Sequence, residues 1–129
     1  MWLFTTSGFF SIVNKTDKDN EQHPYQLRAR SLDELKELVA KVPALAGKEI
    51  HSYDFADYAY RIFLNEAEAG LVGAFLVQSI SYPNFKNEFE GKPRFKGLKQ
   101  ILGQIWGLMY EYQEQQETSK RKRYHQWGL

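Results

Sequence analysis

A β-hairpin at the start of the chain constrains the fold more than any other feature. Met1-Trp2-Leu3-Phe4-Thr5 and Gly8-Phe9-Phe10-Ser11-Ile12-Val13 are aromatic and β-branched runs. The Gly-containing turn Thr6-Ser7-Gly8 between them suits two antiparallel strands. A hairpin beginning at residue 1 leaves no room for a leader, so the initiator methionine is expected within the sheet and the protein in the cytoplasm. The chain has no cysteine, which fits a reducing compartment and excludes disulfides, thiolate zinc sites and cysteine nucleophiles.

The pattern after the hairpin alternates between strand and helix signals. Residues 15–24 form a polar, turn-rich loop. Tyr25 to Arg30 then alternates, with Tyr25, Leu27 and Ala29 on one face and Gln26, Arg28 and Arg30 on the other, which predicts a half-buried strand with a basic outer face. Ser31-Leu32-Asp33-Glu34 reads as a capping box, Leu32, Leu35, Leu38 and Val39 follow at helical spacing, and Pro43 ends the helix. Residues 44–57 are irregular, with a short strand signal near Glu49 to Ser52. Tyr58 to Leu64 predicts another strand with Tyr58, Tyr60, Ile62 and Leu64 on one side. Asn65 caps a second helix whose stripe is Leu71, Val72, Phe75, Leu76 and Ser79. Tyr82-Pro83-Asn84 breaks it, and Phe85 and Phe89 sit one turn apart in a short helix. A basic loop over Gly91–Gly97 precedes a long helix with a stripe at Leu98, Ile101, Leu102, Ile105, Leu108, Met109 and Tyr112, expected to bury one face.

Strands gathered early and helices late imply an α+β fold: a mainly antiparallel sheet of about four strands, in the order βββαβαα, with helices on one face. At 129 residues, 43% of them apolar, the chain is long enough for one core. The expected organisation is a single domain over residues 1–118 and a basic tail or helix extension over 119–129. The longest apolar run, Ala69 to Val77, is nine residues, far short of the roughly 20 a spanning helix needs, so no membrane is expected. The net charge of +1 hides an asymmetry: residues 1–85 hold 8 basic and 11 acidic side chains, residues 86–129 hold 9 and 5.

The opening M-W-L-F-T-T-x-G-F-F-S-I-V, followed by L-R-A-R, D-Y-A-Y-R and I-S-Y-P-N-F-K-N-E, resembles a family of small uncharacterised bacterial proteins with no assigned activity. The resemblance covers roughly residues 1–90 and implies a bacterial cytosolic domain without implying a mechanism.

Nucleophile elbows, phosphate-binding glycine loops and the two-histidine zinc signature are all missing, so catalytic residues are unassigned, enzymatic activity is not the expectation, and no cofactor or metal is expected. His51, Asp54 and Asp57 are spaced by three, but a polar loop explains them as well. Arg61 lies mid-strand. A covered face would pair it with Asp57 or Glu66, while an open face would join it to Arg28 and Arg30. Tyr58, Arg61, Tyr82, Asn84 and Lys86 form a candidate ligand-binding set, although capping around Pro83 accounts for much of it. Gly103 and Gly107 in the last helix suggest close approach of another backbone, within the chain or from a second copy, with Trp106 as an interface anchor. Lys120, Arg121, Lys122 and Arg123, flanked by Tyr124 and Trp127, could contact nucleic acid together with Arg28 and Arg30, or simply complement the helix dipole.

Three functions follow as expectations. The first is a non-enzymatic interaction or regulatory domain acting through a protein partner or itself as a homodimer. The alternative is an accessory nucleic-acid-binding protein using the basic sheet face and the tail. The third is an enzyme or small-ligand binder around Arg61 and Tyr82.

Overall fold

The computed structural model describes residues 1–16 and 21–126, so residues 17–20 of the polar loop and Trp127 of the tail lie outside the described residues. The chain divides into two compact units, residues 1–81 and 82–129. The division falls at the Tyr82-Pro83-Asn84 punctuation.

The first unit contains an antiparallel sheet and two helices. Its strands are β1 (Trp2–Thr5), β2 (Gly8–Asn14), β3 (Tyr25–Ala29), β4 (His51–Ser52) and β5 (Tyr60–Leu64), in the spatial order β1-β2-β3-β5-β4. The fold is α+β as expected, with five strands instead of about four. The fifth is two-residue β4, which falls within the short strand signal near Glu49 to Ser52. All pairings are antiparallel: Phe10 pairs with Ala29, Ile12 with Leu27 and Leu27 with Ile62. At the first turn the Thr5 hydroxyl donates to the Gly8 carbonyl at 2.9 Å and accepts from the Ser7 N–H at 3.1 Å. Gly8 has φ +139°, and a Cβ there would lie 2.5 Å from the Glu34 side chain. The positive φ favours glycine here, and any side chain would also have to displace the end of the flexible Glu34 side chain.

Helix α1 (Leu32–Lys41) starts where Ser31 Oγ accepts from the Glu34 N–H at 3.3 Å, and Val42 ends it in extended conformation before Pro43. Helix α2 (Glu66–Gln78) carries the complete capping box: Glu68 N–H donates to Asn65 Oδ1 at 2.8 Å, and Asn65 N–H donates back to Glu68 Oε1 at 3.0 Å. Each such cap contributes about 1 kcal/mol. Both helices cover one face of the sheet, and Phe10, Ile12, Leu27, Ala29, Leu35, Leu38, Val42, Leu45, Ile62, Leu64 and Val72 close the core between them. At roughly 1.5–3 kcal/mol per fully buried large apolar side chain, this layer dominates the unit's stability. The predicted α2 stripe is partly correct, since Val72 is buried and Phe75 and Leu76 are half-buried, while Leu71 and Ser79 are exposed.

The second unit has a smaller core. Phe89, Phe95 and Leu102 are buried, and Phe85, Leu98 and Ile105 pack around them. The three phenylalanines meet edge-to-face, with centroids 5.1 Å apart from Phe85 to Phe89 and again from Phe89 to Phe95. Helix α3 (Leu98–Gln126) then continues straight through residues 119–126, so the described part of the basic segment is a helix extension. Of its predicted buried stripe only Leu98, Leu102 and Ile105 meet the core, while Ile101 in the first turn is exposed. Leu108, Met109 and Tyr112 are exposed because the short phenylalanine cluster reaches only the start of a 29-residue helix. No helix among the described residues is long and apolar enough to cross a membrane.

Candidate functional site

The face of the sheet opposite α1 and α2 gathers cations and aromatic rings. Register explains how. Ser11 pairs with Arg28, Arg28 with Arg61 and Arg61 with His51, so one row across β2, β3, β5 and β4 carries two arginines and a histidine, and Trp2, opposite Ser11, extends it onto β1. Like charges set directly opposite on neighbouring strands oppose pairing, so a sheet that places Arg28 against Arg61 must stabilise them otherwise.

Aromatic rings supply part of that stabilisation. The Arg28 guanidinium lies 4.4 Å from the Tyr58 ring centroid, Arg30 lies 4.8 Å from the same ring and 5.9 Å from Phe9, and Arg61 lies 5.1 Å from Tyr53. Such contacts contribute roughly 0.5–2 kcal/mol depending on exposure. Hydrogen bonds fix two of the three: Arg28 Nη2 donates to Ser11 Oγ at 2.9 Å, Arg61 Nε to the Tyr58 carbonyl at 3.3 Å, and Arg61 Nη1 to Gln26 Oε1 at 3.1 Å. Among the described residues none of the three arginines has a carboxylate partner. The expected Arg61 ion pair is therefore not formed. Asp57 instead accepts the Tyr58 backbone N–H at 2.9 Å, and Glu66 is exposed in the first turn of α2. Arg61 belongs with Arg28 and Arg30 on the open face.

The rings continue the band to both sides. Phe9 stacks on Phe4 at 4.8 Å and meets Trp2 edge-on at 6.0 Å and Tyr58 at 6.3 Å, while His51 meets Phe63 at 4.9 Å. Trp2 is 68% exposed, Tyr53 40% and Phe4 37%. Tyr58, predicted on the same side as Tyr60 and Ile62, is buried beneath Arg28 and Arg30 instead. Regular alternation begins only at Tyr60, because residues 53–59 form the turn that links β4 to β5, closed by Tyr53 N–H to the Ala59 carbonyl at 2.8 Å. Phe55 stands in this turn, fully exposed and at φ 64°. A bulky side chain in that left-handed region costs of order 1–3 kcal/mol.

The other sequence candidates are distributed differently. Tyr58 and Arg61 fall in the first unit and Tyr82, Asn84 and Lys86 in the second. Asn84 Oδ1 accepts the Asn87 N–H at 3.4 Å, a capping role, and Tyr82 rests on Phe85 at 5.8 Å. Lys86 lies 5.0 Å over the Trp106 ring, which stacks on Tyr110 at 5.5 Å. Among the described residues, a Cβ added at Gly103 or Gly107 would meet nothing within 4 Å. Lys120, Arg121, Lys122 and Arg123 are exposed along the end of α3. Two shallow depressions of about 590 and 480 Å³ lie in the second unit. One runs along α3 from Trp106 to Lys120, and the other surrounds Phe89, Lys92 and Phe95.

His51 Nε2 lies 3.8 Å from Glu49, and no three His, Asp or Glu side chains converge among the described residues. A second charged group sits at the end of the sheet, where Glu68 pairs with Lys48 and lies 3.8 Å from His23. Burial acts to raise the Glu68 carboxyl, but the Asn65 N–H bond, the Lys48 bond and charge and the His23 charge together hold it below its ordinary value. This cluster ties the loop after α1 to the start of α2.

The cation–aromatic band is thus the largest grouping of functional chemistry on the first unit. Trp2, Phe4, Phe9 and Tyr53 were not selected from the sequence as site residues, although strict alternation about Arg28 in the paired strands is the signal that finds Phe9. No family model matches the chain, nor does any curated protein or solved structure.

Proposed function

We propose that the protein is a non-enzymatic binding module whose working surface is the open face of its sheet. The observation that carries this reading is the set of Arg28, Arg30 and Arg61, held over rings and, among the described residues, without carboxylate partners. Cations spread along one row of strands favour an extended anionic partner over a compact one. Placing a photo-crosslinking phenylalanine analogue at Trp2 in cells tests it, with Leu71 on α2, also exposed, as the control position. A macromolecular adduct specific to position 2 is expected. Equal labelling at both positions, or none, overturns the reading.

A second reading places protein contact, including self-association, on α3. It is favoured by Trp106, Leu108 and Met109, all 59% exposed or more, beside two glycines with open space. Sedimentation of the full chain should then show a concentration-dependent dimer that Leu108→Glu dissolves. A monomer at every concentration rules this out.

A further inference from the structure

The geometry points to single-stranded nucleic acid as the occupant of the open sheet face. This rests on the reading of that face as the working surface and names its partner.

Charge comes first. Arg30 makes no hydrogen bond to any described residue, Arg28 uses only Nη2, and Arg61 uses Nε and Nη1. The remaining guanidinium N–H groups on Arg30 and the Nη donors of Arg28 and Arg61 are available in the fork geometry that suits phosphate oxygens. An anion bridging Arg28 and Arg61 would also relieve their cross-strand opposition.

The rings decide between anionic partners. Trp2 and Phe4 at one end of the band and Tyr53 at the other are exposed enough for a flat group to stack on them. Five strands spaced by about 4.8 Å make the band roughly 19 Å across, enough for two or three bases. An acidic peptide would satisfy the arginines and leave these rings without flat partners. A duplex keeps its base faces stacked on one another, and a flat sheet has no element to enter a groove. Unstacked bases on a phosphate backbone supply both the charge and the π-faces.

Asp33, Glu34 and Glu37 belong to α1 and Glu66 and Glu68 to α2, the helices of the covered side, while Asp54 and Asp57 are exposed in the turn that links β4 to β5 and Glu49 lies 3.8 Å from His51. Carboxylates therefore border the band at its β4 end, but the five strands themselves contribute arginines and no acidic residue.

The test is fluorescence anisotropy of labelled oligothymidylate and oligouridylate against the full chain, titrated with salt. The same measurements are made on a duplex and on a labelled oligoglutamate. Binding of the single strands is expected to weaken with salt at a log–log slope of about −2, for three phosphate contacts at about 0.7 each. Arg30→Ala or Arg61→Ala should reduce that slope by about 0.7. Trp2→Ala or Phe4→Ala should lower affinity about tenfold without changing the slope, because stacking releases no counterions. Circular dichroism and thermal melting check each variant, and the exposure of Trp2 and Phe4 keeps those two independent of the core.

Equal affinity for the duplex overturns the inference. So does binding that ignores the sheet variants but vanishes when Lys120, Arg121, Lys122 and Arg123 are all changed to Ala. Oligoglutamate binding through the arginines, with no binding of single strands, overturns the inference and leaves the sheet-face reading standing with an acidic protein as partner. If no probe binds even at low salt, the inference falls, and cross-linking from position 2 decides the reading of the face by itself.

Discussion

Leu27 and Arg28 are neighbours in β3, yet they belong to opposite surfaces. Leu27 is fully buried against Ile12 and Ile62 beneath two helices, whereas Arg28 lies over Tyr58 on a face that neither α1 nor α2 covers. The covered face follows the ordinary logic of a core, with aliphatic side chains excluded from water and no charge among them. The open face uses the same strands to hold three cations and a run of rings. A sheet needing only solubility would spread mixed charges over its outer side. Among the described residues no carboxylate pairs with the three arginines, and the proposed binding surface rests on that contrast.

The sharpest way to break this comparison is to truncate both neighbours. Leu27→Ala should destabilise by about 2–5 kcal/mol in urea unfolding, from lost burial and the cavity left behind. Arg28→Ala should cost about 1 kcal/mol or less, since it loses a ring contact and one hydrogen bond but also removes a buried Nε–H that has no acceptor. Comparable losses at the two positions would make the open face structural rather than functional.

Asn65→Ala should cost about 1 kcal/mol, read as a lower midpoint with unchanged denaturant slope, because it removes the α2 capping box on the covered side. Phe55→Gly sharpens the contrast in the opposite direction. It relieves the left-handed backbone and should raise stability by about 0.5–1 kcal/mol in the same assay. If the exposed ring also stacks on the ligand, oligonucleotide affinity should fall in the same variant. Unchanged affinity would confine the site to the strands.

The smallest expected effect concerns acid. The folded-state pKa of Glu68 lies below its ordinary value, so its pairing stabilises the fold above the ordinary carboxylate range. That contribution is lost as pH falls through the lowered folded-state value. Glu68→Gln should therefore flatten the acid limb of the melting temperature against pH. A limb of unchanged steepness would show that the pairing carries no linkage.

Much of the covered face was legible in the sequence because it follows simple periods. Alternation in Tyr25 to Ala29 and from Tyr60 onward identified Leu27, Ile62 and Leu64, and Ser31 and Asn65 marked both helix starts. What could not be read had non-local causes. The partners of Arg61 are Gln26, from β3, and Tyr53, from across the turn, while the carboxylates near it in sequence are engaged or exposed elsewhere. Tyr58 left its predicted face because the turn at residues 53–59 resets the alternation. In α3 the apolar period was real, but periodicity does not say whether anything is there to cover it, and beyond Ile105 its apolar side chains are exposed.

The strand order sets the sequence in which the molecule is made. β1–β2 and β4–β5 are joined by short turns and can pair early, whereas β3 must wait for β5 with all of α1 and β4 between them. Closing that seam is the long-range step, and long-range pairing is slow. Arg28 and Arg61 face each other across it. The row of arginines is therefore made by the adjacent-strand pairing that spans the most intervening sequence in the sheet, and whatever weakens that seam separates Arg28 from Arg61.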